Sequence, residues 1–221
     1  RERLPGRSPA LSTWGESVMG EPHQQPVVNV VGERVGLGPL RRDLLETYQR
    51  WFNEFQTLRT LGDMPRPVTL EEQAAQYDAI ATGSANQVGF QIYERATWQP
   101  IGTCALIDID HRNGTAEFVI TIGEATHRGR GYGTEATRLA LDYAFTALGL
   151  HDVMLKVYAF NQAGIRAYQK AGFKEIGRRR GARRFAGRRW DVIYMDCVAD
   201  EFTSPVLSEI FQPDSTCPGS S

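Results

Sequence analysis

The segment Arg128-Gly129-Arg130-Gly131-Tyr132-Gly133-Thr134 joins an expected strand to an expected helix, and it limits the architecture more than any other stretch. Its glycines let the backbone adopt positive φ and come close to a ligand. Downstream, Ala136, Leu139, Ala140, Tyr143, Ala144, Ala147 and Leu148 recur at helical spacing, and Gly149 closes the helix. Free N–H groups at the start of that helix, together with its dipole, favour an anion. Arg128 and Arg130 add positive charge. Chemically the segment is a pyrophosphate cradle.

The elements around it set the fold class. Val27 to Leu37 reads as a first strand, ended by Gly38-Pro39. Asp43 to Phe55 reads as a helix with Leu44, Leu45, Tyr48, Trp51, Phe52 and Phe55 on one broad face. Thr69 with Glu71 and Glu72 opens a second helix, to about Thr82. Strands follow near 87–94, 100–110 and 115–123, with turns at Trp98-Gln99-Pro100 and Asn113-Gly114. After the cradle and its helix come a strand over Val153–Tyr158, a short helix from Asn161 to Lys170 ended by Gly172, and strands near 173–184 and 188–198. This order predicts a mixed, mostly antiparallel α/β sheet of about seven strands with about four helices, not an alternating βαβ array.

Composition narrows the function. A chain of 221 residues is one domain, or one domain with tails. Residues 1–26 read as an irregular leader, 27–202 as the domain and 203–221 as a flexible tail. The 25 Lys+Arg nearly cancel the 26 Asp+Glu, so bulk charge favours neither nucleic acid nor membrane. No run reaches the ~20 apolar residues of a membrane span, and the first 30 residues lack the apolar region of a secretory signal. Cys104, Cys197 and Cys217 match no metal spacing; the first two lie in apolar runs and read as core residues. No metal is required, and a cytoplasmic protein with reduced thiols is expected.

Two ligand families could use the cradle. Gly131-x-Gly133-x-x-Ala136 satisfies the dinucleotide fingerprint, which would make the chain a nicotinamide- or flavin-dependent oxidoreductase. That fold places its loop after the first strand and an acidic residue at the end of the next. Here three strands of antiparallel type precede it, and the next strand ends Val157-Tyr158-Ala159-Phe160-Asn161 with no carboxylate.

The spacing of Arg128, Gly131 and Gly133 instead resembles the pyrophosphate motif of the GNAT acetyltransferase superfamily. Asn161-Gln162-Ala163-Gly164-Ile165-Arg166-Ala167-Tyr168-Gln169-Lys170-Ala171-Gly172-Phe173 resembles that family's second signature, at the expected separation. Arg50-Trp51-Phe52-Asn53-Glu54 looks like the subgroup that includes ribosomal-protein N-terminal acetyltransferases. The resemblance covers about 27–202.

It implies a sheet splayed between its fourth and fifth strands and an acetyl-CoA-dependent transfer of acetyl to a primary amine, on a protein N-terminus or a small molecule. Ile120, Thr121 and Ile122 would pair with the pantetheine arm. Backbone groups of Gly129, Arg130, Gly131, Tyr132, Gly133 and Thr134, after Arg128, would bind the pyrophosphate. Asn161 would hydrogen-bond the pantetheine, and Tyr168 would protonate the leaving thiolate. A phenol of pKa about 10 can do so at neutral pH. The attacking amine must lose a proton; Glu117 is the first candidate to take it, with Glu124, Asp108, Asp110 and His127 competing. A non-catalytic acyl-CoA-binding module is the alternative from another class. A homodimer is compatible with chain ends that flank edge strands.

Residues 178–189 hold seven arginines and no acid. The 25 basic residues less these seven leave 18 against 26 acidic ones, so the chain is polarised. The hairpin reads either as a solvated surface or as a site for an acidic substrate, the cofactor's 3′-phosphate or RNA. Only Phe185 and Trp190 interleave aromatic surface, which disfavours a dedicated single-strand binder.

Overall fold

The computed structural model describes residues 25–61, 66–81, 83 and 85–213; most of the leader, Cys217 and the end of the tail lie outside them. Eight strands form one mixed sheet: β1 Val30–Val31, β2 Val35–Pro39, β3 Val88–Glu94, β4 Pro100–Asp110, β5 Thr115–Ile122, β6 Asp152–Tyr158, β7 Lys174–Phe185 and β8 Arg188–Val198. Their order is β1-β2-β3-β4-β5-β6-β8-β7. The helices are α1 Leu45–Asn53, α2 Phe55–Leu58, α3 Leu70–Ala81, α4 Tyr132–Asp142, α5 Gln162–Ala171 and α6 Leu207–Ile210.

The expected turns and helix ends are present. At Asn113-Gly114 the Gly114 backbone is left-handed, and its N–H donates to Asp110 O at 2.7 Å. Gly172 ends α5 at φ 119°. Two segments differ from the sequence reading. The expected first strand is two strands, because Gly32 N–H donates to Val35 O at 2.9 Å and folds the run into a small hairpin. The expected helix over Asp43–Phe55 breaks at Glu54, whose backbone is extended. The Glu54 carbonyl then accepts from the N–H groups of Thr57 and Leu58 and starts α2.

Helices cover both faces of the sheet. On one, α4 packs on β2, β4, β5 and α5, burying Leu37, Ile92, Leu106, Leu139 and Leu155. Beyond Asp142, α4 continues into a π-helical turn, Tyr143–Ala147. On the other face α1 lies across β3 and the end of β5. Tyr48 donates its hydroxyl to the buried Gln91 Oε1 at 2.7 Å, and Gln91 Nε2 donates to Gly102 O at 2.7 Å. That leaves no polar atom of the Gln91 side chain orphaned in the core. Past β4 this second face carries Glu117, Lys156 and Tyr194 by strand alternation, and Val119 is 39% exposed.

Residues 203–213, inside the stretch read as tail, carry α6. The buried Asp142 accepts the N–H groups of Val206 and Leu207 at 3.0 and 2.9 Å, and Leu207 is buried. Cys104 and Cys197 are free and buried. Among the described residues no helix is long and apolar enough to cross a membrane.

The β5–β6 pair is parallel and short. It joins Thr115 to Asp152, Ala116 to Val153 and Glu117 to Met154, and goes no further. From Phe118 to Ile122 the two strands part. Gly123 ends β5 where a side chain cannot fit: an added Cβ would stand 2.1 Å from Trp51 Cδ2. Gly123→Ala is therefore expected to cost about 1–3 kcal/mol by overpacking, read as a lower denaturant midpoint. An unchanged midpoint would show that α1 is not seated on the end of β5.

Candidate functional site

Where β5 and β6 part, a cleft of about 560 Å³ opens between the end of β5, the 128–134 loop, α5 and α2. The loop supplies anion-binding geometry. Gly129 and Gly131 have φ of 74° and 87°. The first N–H of this helix to find an acceptor is that of Glu135, on Gly131 O at 3.1 Å. Those from Gly129 to Thr134 have none among the described residues, as expected at an uncapped helix start. Gly133 is helical, and a Cβ there would sit 3.6 Å from Ile122 Cγ1, an ordinary contact. A Cβ on Gly131 would meet Arg34 Nη1 at 2.8 Å and a backbone that L residues rarely adopt.

The cleft is also cationic. Arg59, Arg128, Arg166 and Lys170 line it, and no carboxylate does. Helix dipole, free N–H groups and the cations of Arg59, Arg166 and Lys170 therefore act with one sign, while Arg128 is paired with Glu54.

The structure gathers most of the predicted residues here. Ile120, Thr121 and Ile122 line the cleft along the edge of β5 that β6 leaves; Gly129, Gly131, Gly133 and Thr134 line it from the loop, and Asn161 and Tyr168 from α5. Asn161 caps α5, its Oδ1 accepting Gly164 N–H at 3.1 Å, which leaves Nδ2 as its side-chain donor. Arg130 is exposed and is not part of the lining. Tyr132 turns into the protein, where its hydroxyl donates to Glu94 and its ring lies under Arg34 at 5.1 Å.

Arg128 lines the cleft but turns its guanidinium inward. Nε donates to Ile122 O at 3.0 Å; Nη2 reaches Gly123 O at 2.8 Å, Thr57 Oγ1 at 2.6 Å and Glu54 Oε2 at 2.8 Å. One side chain thus ties the end of β5 to α2. The Thr57 hydroxyl, and after it Arg128, hold the Glu54 carboxyl below its usual range.

Tyr168 is half-buried on α5, its ring edge-on to Phe173 at 6.1 Å. Burial pushes its phenol up to about 12, so it keeps its proton at any ordinary pH. Glu117 stands at the last paired rung, outside the cleft lining, and accepts from Lys156 Nζ at 2.6 Å. The competing proton acceptors separate. Burial would raise Glu124, but Arg50 and the Trp51 indole N–H outweigh it and hold it low. Asp110 caps the turn at Arg112 and Asn113. Asp108 sits in a β-bulge at φ 51°. His127 does line the cleft, with Nε2 3.6 Å from Glu94.

Four site residues escaped the sequence reading. Arg166 and Lys170 stand four apart on one helix, a spacing that could have placed them together. Thr57 and Arg59 sit in an aperiodic stretch that offered no signal.

The family model described as "Acetyltransferase (GNAT) domain" matches residues 34–174. The chain is 33% identical over 125 residues to the uncharacterized N-acetyltransferase p20 of Bacillus licheniformis, covering 57% of this chain and 68% of that protein. It is 37% identical over 86 residues to a spermidine N(1)-acetyltransferase of Vibrio cholerae, 39% of this chain and 49% of the relative, so that match spans about half of the relative's length. The crystal structure of spermidine N-acetyltransferase from Vibrio cholerae in complex with CoA and spermine is similar to the fold, with a TM-score of 0.70, 27% identity and coverage of 76% of this chain and 97% of that one.

The Arg128 tie generates a prediction. Arg128→Met should lower thermal stability by about 2 kcal/mol, the scale of a charged hydrogen bond lost from a partly buried site. It should also speed amide exchange over α2. Acid should act on the same joint. Glu54 has a depressed folded pKa, so its contribution exists above the ordinary carboxylate range and is lost as pH falls through the lowered value. Exchange in α2 that does not respond to either change would show that the tie is not what holds the segment.

Proposed function

The chain belongs to the acetyltransferase (GNAT) family and is by that membership an acetyl-CoA-dependent N-acetyltransferase; from this premise we propose that the cleft between β5 and β6 holds the cofactor. One observation carries the assignment: parallel pairing stops after Glu117, and the free N–H groups of the 128–134 loop stand at the open end of the gap. A pantetheine arm is an extended chain of amides and can pair with the edge of β5 from Ile120 to Ile122 as a missing strand would. The pyrophosphate then meets the N–H groups of Gly129 to Thr134, and Arg166 and Lys170 add cations on the α5 side. Asn161 Nδ2 is a donor for an amide carbonyl of the arm. Residues 27–202 are taken as the catalytic domain.

In the proposed reaction a neutral primary amine attacks the thioester carbonyl carbon. The C–N bond forms, the C–S bond breaks, and the amine nitrogen gives up one proton while the departing sulfur accepts one. Tyr168 is the donor to sulfur. Its phenol accepts no competing duty, since it has no hydrogen-bond partner among the described residues, and it is protonated throughout the working range. Glu117 takes the amine's proton through water, because its carboxylate lies outside the cleft lining and is held by Lys156. His127 is the second candidate on the ground that it lines the cleft itself. The segment Arg50–Glu54 suggests a protein N-terminus as acceptor, and the relatives named for spermidine suggest a polyamine.

Two variants test the reading. Gly133→Glu should abolish CoA binding with little effect on stability, since the backbone there is helical, a side chain has room, and the new carboxylate would face the phosphates. Undiminished affinity by calorimetry would remove the loop from the cofactor site. Tyr168→Phe keeps the ring and should lower kcat by on the order of 100-fold with acetyl-CoA binding nearly unchanged. Normal turnover across pH 6–9 would leave Tyr168 as a wall of the cleft only.

A further inference from the structure

The acetyl-transfer reading leaves open what the acceptor carries besides its amine, and the β7–β8 hairpin bears on it. β6 ends at Tyr158, opposite Val192, and Ala159 N–H still reaches Asp191 O at 3.0 Å. β7 and β8 run on past that point, pairing Arg183 with Trp190, Arg184 with Arg189 and Phe185 with Arg188. The overhang stands at the end of β6 from which the chain enters the cleft at Asn161. It is pinned there. Phe160 stacks on Phe185 at 4.5 Å and meets Trp190 edge-on at 5.5 Å, while the Arg183 guanidinium lies 4.7 Å over Tyr158.

Alternation assigns a side. Ile193, Met195 and Cys197 of β8 are buried on the face of α4 and α5, so Trp190 and Arg188 fall on the other face, with Tyr194 and Lys156. Arg179, opposite Val192, shares that face. The cradle and α5 occupy the first face; Arg179 and Arg188 occupy the other, on the overhang beyond the end of β6.

The charges of the hairpin as a whole do not balance. Arg178 pairs with Glu175, but Arg179, Arg180, Arg184, Arg188 and Arg189 have no carboxylate partner among the described residues. Arg184 lies directly opposite Arg189, a like-charge placement that is destabilising in a sheet. Protection of the β7 edge explains some charge, yet it does not require seven cations without one acid between 178 and 189. Three carboxylates near the cleft are matched: Glu117 by Lys156, Glu54 by Arg128 and Glu124 by Arg50. Asp108, in its bulge, also acts on Lys156. A polyamine would meet arginines and few unmatched acids; an acceptor bearing carboxylates would meet complementary charge.

We propose that the arginine hairpin selects an anionic acceptor, a primary amine whose own molecule carries carboxylates beside it, either a peptide N-terminus followed by acidic residues or a small amino diacid. This rests on the acetyl-transfer reading.

The test measures CoA release by the full chain from acetyl-CoA with five acceptors: the peptides Ala-Glu-Glu-Glu-Gly, Ala-Gln-Gln-Gln-Gly and Ala-Lys-Lys-Lys-Gly, free glutamate, and spermidine. An acidic acceptor should exceed the neutral and basic ones by about tenfold in kcat/KM, and added salt should erode that lead. Which acidic acceptor works separates a polypeptide from a small diacid, and either supports the proposal. Arg179→Glu with Arg188→Glu should raise KM for the acidic acceptor far more than it lowers kcat. Arg179→Gln with Arg188→Gln should do so more weakly without reversing charge. Arg112→Glu, in the turn at the opposite end of the sheet, should change nothing. Preference for spermidine or the basic peptide would overturn the proposal while leaving acetyl transfer intact, as would a salt-independent ranking. Turnover with none of the five, in a protein that binds CoA, would overturn the acetyl-transfer reading and this proposal with it.

Discussion

A strand edge left open inside a sheet is the constraint on which this structure depends. β5 and β6 share three rungs and then separate, so the β6-facing backbone of β5 from Phe118 to Ile122 has no neighbouring strand. Backbone polar groups in such a place need water or a ligand. Closing the gap would satisfy them, so something must hold it open. On one side the end of β5 is tied outward: Trp51 fills the space over Gly123, and Arg128 binds Ile122 O, Gly123 O and α2 together. On the other, β6 pairs with β8 over its whole length, from Asp152 to Tyr158. The sheet is two half-sheets joined at Thr115–Glu117, and the cleft is the space between them.

The electrostatics follow the same division. Every cation that lines the cleft belongs to the loop, to α5 or to the segment after α1, and no carboxylate joins them. Glu54, Glu124 and Glu94, which lie near it, are each turned to a partner on the protein side. The site is therefore set up for a polyanion before one arrives, which reduces the reorganisation that binding would otherwise require. Tyr168 stays neutral in this setting, because burial raises its phenol.

Much of this was legible in the sequence. The glycine-rich entry to α4 was, because glycines at a switch from period two to period 3.6 mark a turn; α4, α5 and the Asn113-Gly114 turn were, because each has a local code. The break of the first strand at Gly32 and of the first helix at Glu54 was not, since both depend on tertiary partners: the hairpin bond to Val35 and the joint with Thr57 and Arg128. Spacing could put Arg128 at the head of the loop but could not say that its guanidinium turns inward. It could put Glu117 on the face of Thr121 but could not show Lys156 beside it, since that contact crosses to a strand 39 residues away. The hairpin's arginines were visible as a charge run. Their position beside the end of β6 needed the stacking of Phe160 on Phe185.

On the proposed function, the parted edge of β5 and the loop that follows it hold CoA as one surface. Titrating the isotopically labelled protein with CoA and following its backbone amides by NMR tests this directly. The largest shifts are expected on the amides of Gly129 to Thr134 and of Ile120 to Ile122, saturating together with one affinity. Shifts concentrated elsewhere, with those two segments unmoved, would contradict it.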